Sequence, residues 1–174
     1  MKTTFRYLAS RCLFLHLSVC PAFVLLILLG AGCSSLLAQQ ETLAQFIITD
    51  ARINDVDYTE HYVSSGGYIV FYETDDDLYM ANVLDIENTQ SYGRLYSMNV
   101  QEIDETDENY AAEIYTFRWS YINDYDTKKG TATVQLTKIF KPRGVAFICK
   151  IIPENLDELE YRGFMEGSID FSNY

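Results

Sequence analysis

The chain is predicted to be all-β: one antiparallel β-barrel or strongly curled sheet of about eight or nine strands, with one short helix near the C-terminus. A β-sandwich is the alternative. Three observations lead there. Several long stretches alternate apolar and polar residues with period two, the mark of a sheet that buries one face. Tyrosine is frequent, with 14 residues of which only Tyr7 precedes residue 39, and aromatic side chains suit a pleated, half-buried surface. Clusters of Gly, Asp, Asn and Ser separate the alternating runs, as hairpin turns do.

Residues 45–53 form the first strand, with Phe46 and Ile48 among its apolar side chains. The flexible "SSGG" precedes a strand at 68–73, and the acidic turn "TDDD" leads into another at 78–84. Residues 94–103 follow, with Tyr96, Met98 and Val100 on one face. The clearest element is a long antiparallel hairpin over 114–140. In its first strand Tyr115, Phe117, Trp119 and Tyr121 share one face, and Thr116, Arg118 and Ser120 the other. In its second, Ala132, Val134, Leu136 and Phe140 oppose Thr131, Thr133, Gln135 and Thr137, with Lys138 interrupting the apolar face near the strand end. The turn formers of "NDYDTKKG" join the two. Residues 145–152 make a further strand, stopped by Pro153. "ENLDELEY" then suits the single short helix, and 164–171 the last strand.

Long strands joined by hairpins favour closure, which removes exposed edges. The outline resembles small lipocalin-type barrels in architecture. It lacks the Gly-x-Trp signature of that family near the first strand, and the one tryptophan, Trp119, lies mid-chain.

Residues 1–38 carry Lys2, Arg6 and Arg11, no acid, and the apolar run "CLFLHLSVCPAFVLLILLG", the pattern of a secretory leader. Cleavage after Ala38 in "LLAQQ" is the leading expectation, and it leaves residues 39–174 as a single β domain. "GAG-C-SS" resembles a lipobox with Gly30 where Leu is usual, so the alternative is a lipid on Cys33. An uncut membrane anchor over residues 12–32 is a third course. The expected location is therefore outside the cell, in a periplasm or in the cell envelope, with a membrane lipoprotein as the alternative. Contact with the membrane is expected only through the leader or a lipid anchor.

Composition narrows the function further. Of the 13 bases three lie in the leader, whereas all 25 acids follow it, so the domain carries −15 against −12 for the whole chain. Such a body repels phosphate backbones, and nucleic acid is not an expected partner. After cleavage at Ala38 one cysteine remains, Cys149, on the strand face of Val145, Phe147 and Ile151. It reads as a buried, inert thiol, and no intrachain disulfide can form.

No catalytic residue and no cofactor is assigned. His61 is the sole histidine of the domain, in "YTEHYVSSGG" beside Glu60 and a Ser pair, without a Gly-x-Ser-x-Gly elbow. The acidic stretches "EIDETDENY" and "TDDD" read as solvated turns. No metal site is assigned either. One Cys and one His are too few for zinc, and "DYDTKKG" opens like a calcium loop but places Lys128 at the third ligand position and Gln135 where the closing Glu belongs.

The candidate ligand-binding residues are Tyr115, Phe117, Trp119 and Tyr121, which would line an apolar pocket if the sheet closes round a cavity. The expected function is thus an exported, non-enzymatic binding module for a small apolar ligand. The alternative is an envelope or surface protein with a packed core that meets a protein or glycan through exposed tyrosines such as Tyr68, Tyr72 and Tyr79. A carboxylate-dependent hydrolase ranks third.

Overall fold

The computed structural model describes residues 41–174. The leader, its cleavage after Ala38 and the lipid on Cys33 lie outside the described residues. Nine strands follow one another: β1 (Glu41–Ile53), β2 (Val56–Asp57), β3 (Gly67–Thr74), β4 (Asp77–Leu84), β5 (Thr89–Ile103), β6 (Ala112–Asn123), β7 (Lys129–Lys141), β8 (Gly144–Pro153) and β9 (Leu159–Gly167). A short helix, α1 (Thr59–Ser64), lies between β2 and β3, and a 3₁₀ turn at Phe171–Asn173 follows β9. Each strand from β3 to β9 pairs antiparallel with the next, and β1 pairs with both β3 and β9. Eight strands thus close an up-and-down barrel, and β2 is an extra strand on the end of β1.

The hairpin predicted over 114–140 is β6–β7, in register from Ala112↔Ile139 to Ile122↔Lys129. Its inward face is the predicted one. Phe117, Trp119, Tyr121, Ala132, Val134 and Leu136 are buried. Lys138 also points inward, where its Nζ meets Glu113 at 3.1 Å and lies 4.8 Å from the centroid of the Phe140 ring. The turn chemistry is equally direct. Asp75 and Asp76 both take positive φ, the two-residue turn whose twist suits a tight hairpin, and Asp tolerates that conformation better than most residues.

Two elements differ from the sequence reading. "ENLDELEY" is not helical. Residues 154–158 turn, and Leu159 already opens β9. The reason is pairing: Leu159 has Ile151 on one side and Ile53 on the other, and Tyr161 is fully buried between Cys149 and Ala51. A strand with two neighbours outcompetes an isolated helix of two turns. Asn54 secures the β8–β9 connection, its Nδ2 donating to Asp157 at 2.6 Å and its Oδ1 accepting from the Glu158 N–H at 3.0 Å. The last strand accordingly ends at Gly167, and Phe171 belongs to the 3₁₀ turn. The helix is instead α1, six residues too short to leave a periodic trace.

Closure depends on bends. The β1 ladder shifts register between Thr42 and Ala44 and again between Ile48 and Asp50, and β5 does so between Tyr96 and Asn99, where Ser97 has φ 55°. Bulges of this kind coil a flat ladder into a barrel. The middle is filled, since Phe46, Ile69, Phe71, Met80, Val134 and Leu136 are all fully buried. Cys149 is among them, and burial pushes its thiol up to about 12. It is therefore expected to ignore a thiol reagent such as dithionitrobenzoate in the folded protein and to react fully in denaturant. Rapid labelling under native conditions would contradict the packing described here.

Candidate functional site

The two ends of the barrel differ. At one end Phe171 folds back as a plug, its ring 5.0 Å from Tyr115, 5.4 Å from Phe71 and 5.5 Å from Phe117. Tyr174 behind it donates its hydroxyl to Glu73. A small hollow of about 190 Å³ lies there, between Tyr115, Phe147, Met165 and Phe171.

The other end is open. The strand ends at Ile53, Leu84, Thr89, Asn123, Pro153 and Leu159 surround a cup of about 370 Å³, within the size range of small-ligand sites. Trp119 and Tyr121 form an aromatic wall, stacked at 4.5 Å and 29°. The Trp119 indole donates to the Gly93 carbonyl at 3.2 Å, which fixes the ring against β5. Ile151, Leu159 and Pro153 supply an apolar side. A polar side comes from β5, the end of β6 and the turn after it, where Ser91 donates to Asn123 Oδ1 at 2.6 Å and Asn123 Nδ2 donates to the Tyr125 hydroxyl at 3.2 Å.

α1 helps build the cup by placing Tyr62 in its lining. The Tyr161 hydroxyl donates to Tyr62 at 3.0 Å and accepts from Asn82 Nδ2 at 3.1 Å. Burial holds both phenols above their ordinary range, most strongly Tyr161, so the pair stays neutral. The carbonyl oxygen Asn82 Oδ1 is buried and has no partner among the described residues.

The structure separates the four candidate residues. Trp119 and Tyr121 line the cup. Phe117 is packed in the core against Phe171, and Tyr115 stands at the plugged end, donating to Glu113 at 2.7 Å. Burial and that carboxylate push the Tyr115 phenol up to about 12. The rest of the lining was not anticipated. Alternation marks which residues point inward, but not how far along the axis each one sits. That Ser91 and Asn123 are inward-facing polar residues at strand ends was the available signal.

The other candidates sit elsewhere. His61 is on the exposed side of α1, 3.6 Å from Glu87. Ser65 donates to the same Glu87 at 2.8 Å, and Ser64 to the His61 carbonyl at 3.1 Å, so neither serine engages the imidazole. Asp124 accepts from the Gln90 N–H and Asp126 from the Lys128 N–H. Among the described residues no three His, Cys, Asp or Glu gather as a metal site. On the outer surface Tyr72 is only 9% exposed, because its ring stacks on Tyr79 at 5.4 Å.

Fold and site together define a class: a closed eight-stranded antiparallel barrel with one plugged end and one open, aromatic-walled cup. Beyond that class no identification follows, since no protein-family model, no curated protein and no solved structure matches the chain.

Proposed function

We propose that the domain is an exported, non-enzymatic binding module that holds a small ligand with an apolar body in the open end of the barrel. One observation carries the reading. The middle of the barrel is filled, the plugged end keeps a small hollow beside Phe171, and the open end holds a cup of about 370 Å³ with Trp119 and Tyr121 in its wall. Export follows from the leader read in residues 1–38, and a lipid on Cys33 would tether the same module to a membrane.

The protein's single tryptophan is also its reporter. Titration of the full-length chain with the neutral probe N-phenyl-1-naphthylamine is expected to be saturable and one-to-one, with a dissociation constant in about the micromolar range. Trp119 emission should transfer to the probe as it binds. The variant Ser91→Phe, which puts a ring into the cup, is expected to weaken binding at least about tenfold. A Trp119 signal indifferent to the probe overturns the proposal, whatever the variant does.

A second reading has its own observation. The hairpin turns around the cup each expose an apolar tip: Ile86 at 74%, Leu156 at 70% and Tyr125 at 66%. Such a rim suits contact with an envelope protein or glycan.

A further inference from the structure

We infer that the ligand of the cup is a cationic amphiphile, an aryl- or alkylammonium whose apolar body lies against Trp119 and Tyr121 and whose charged head meets Asp157 at the mouth. The inference rests on the cup being a binding site, as proposed above. The lining contains no Lys, Arg or His, and Asp157 is its one charged residue. A carboxylate or phosphate entering this cup would lose hydration and gain no counter-charge. An ammonium would gain one, in a cup whose lining also holds the aromatic side chains of Tyr62, Trp119, Tyr121 and Tyr125.

The charge of Asp157 is not cancelled locally. Its partner is the neutral amide of Asn54, while neighbouring acids are already held by bases: Glu154 by Arg118, Glu158 by Lys150 and Asp126 by Lys128. Lys128 and Lys129 line an adjoining hollow and not the cup. The net negative charge of the whole chain, −12, concentrates cations at the surface in addition.

The test uses three probes with one naphthyl body: 2-naphthylmethylammonium, 2-naphthylmethanol and 2-naphthoate, each titrated calorimetrically into the full-length chain at low ionic strength. The ammonium is expected to bind about tenfold more tightly than the alcohol, and the carboxylate most weakly. Asp157→Asn, an exposed and conservative change, should bring the ammonium down to the alcohol's affinity and leave the alcohol unaffected. Added salt should weaken the ammonium alone. Equal binding of ammonium and alcohol, or a preference that survives Asp157→Asn, overturns this inference and leaves the cup standing as a site. Binding of none of the three overturns both readings together.

Discussion

Gly163→Val is expected to destabilise the barrel by about 3 kcal/mol or more, enough to prevent folding in a domain of ordinary stability. Gly163 lies on β9 opposite both Ile48 of β1 and Phe147 of β8, at the seam that closes the barrel. A Cβ there would stand 1.8 Å from the Ile47 carbonyl oxygen and 3.3 Å from the Phe46 ring. The first neighbour is backbone and cannot rotate away, so β1 and β9 would have to part. Parting them reopens the sheet and exposes two edges at once. Urea unfolding followed by circular dichroism measures the loss. Glu166→Ala, exposed on the same strand, is the control and should stay within about 0.5 kcal/mol of the parent. A Gly163→Val variant with an unchanged urea midpoint would mean that β1 and β9 do not close as described.

Removing the plug is the second large effect. Phe171→Ala should cost about 3 kcal/mol, because the ring is 5% exposed and stands against Phe71, Tyr115 and Phe117 at the narrow end. The turn that carries it has only three residues and cannot collapse into the space left behind. The same variant should also leave the last seven residues open to carboxypeptidase digestion under native conditions, whereas the parent resists. Tyr174→Phe loses only the hydroxyl contact to Glu73 and should cost about 1 kcal/mol. If Phe171→Ala proves as mild as Tyr174→Phe, the C-terminal segment does not act as the plug.

Most strands could be read directly because a strand's side chains alternate, and alternation is a local property. That rule alone puts Phe117, Trp119, Val134, Leu136 and Cys149 inside, where all five are buried. Boundaries were harder. β5 begins at Thr89, several residues before its apolar pattern starts, because polar residues are accommodated where a strand reaches the end of the barrel. Residues 154–161 show the limit of a local pattern. Their acids and leucines fit a helix locally, and only the presence of β1 and β8 on either side makes Leu159 and Tyr161 a strand.

Period-two patterning and turn residues are enough to specify an all-β domain, its main hairpin and its inward aromatic face. The tertiary structure decided closure over a sandwich, through bulges in β1 and β5 and the close approaches at Gly93 and Gly163, where a Cβ would lie 1.9 and 1.8 Å from neighbouring backbone oxygens. It also divided one aromatic stripe into three fates: Tyr115 beside the plug, Phe117 in the core, and Trp119 with Tyr121 in the cup. The period of a strand reports which way a side chain faces. Its depth along the barrel axis depends on the register of every strand in the ring, and so does the chemistry it meets there.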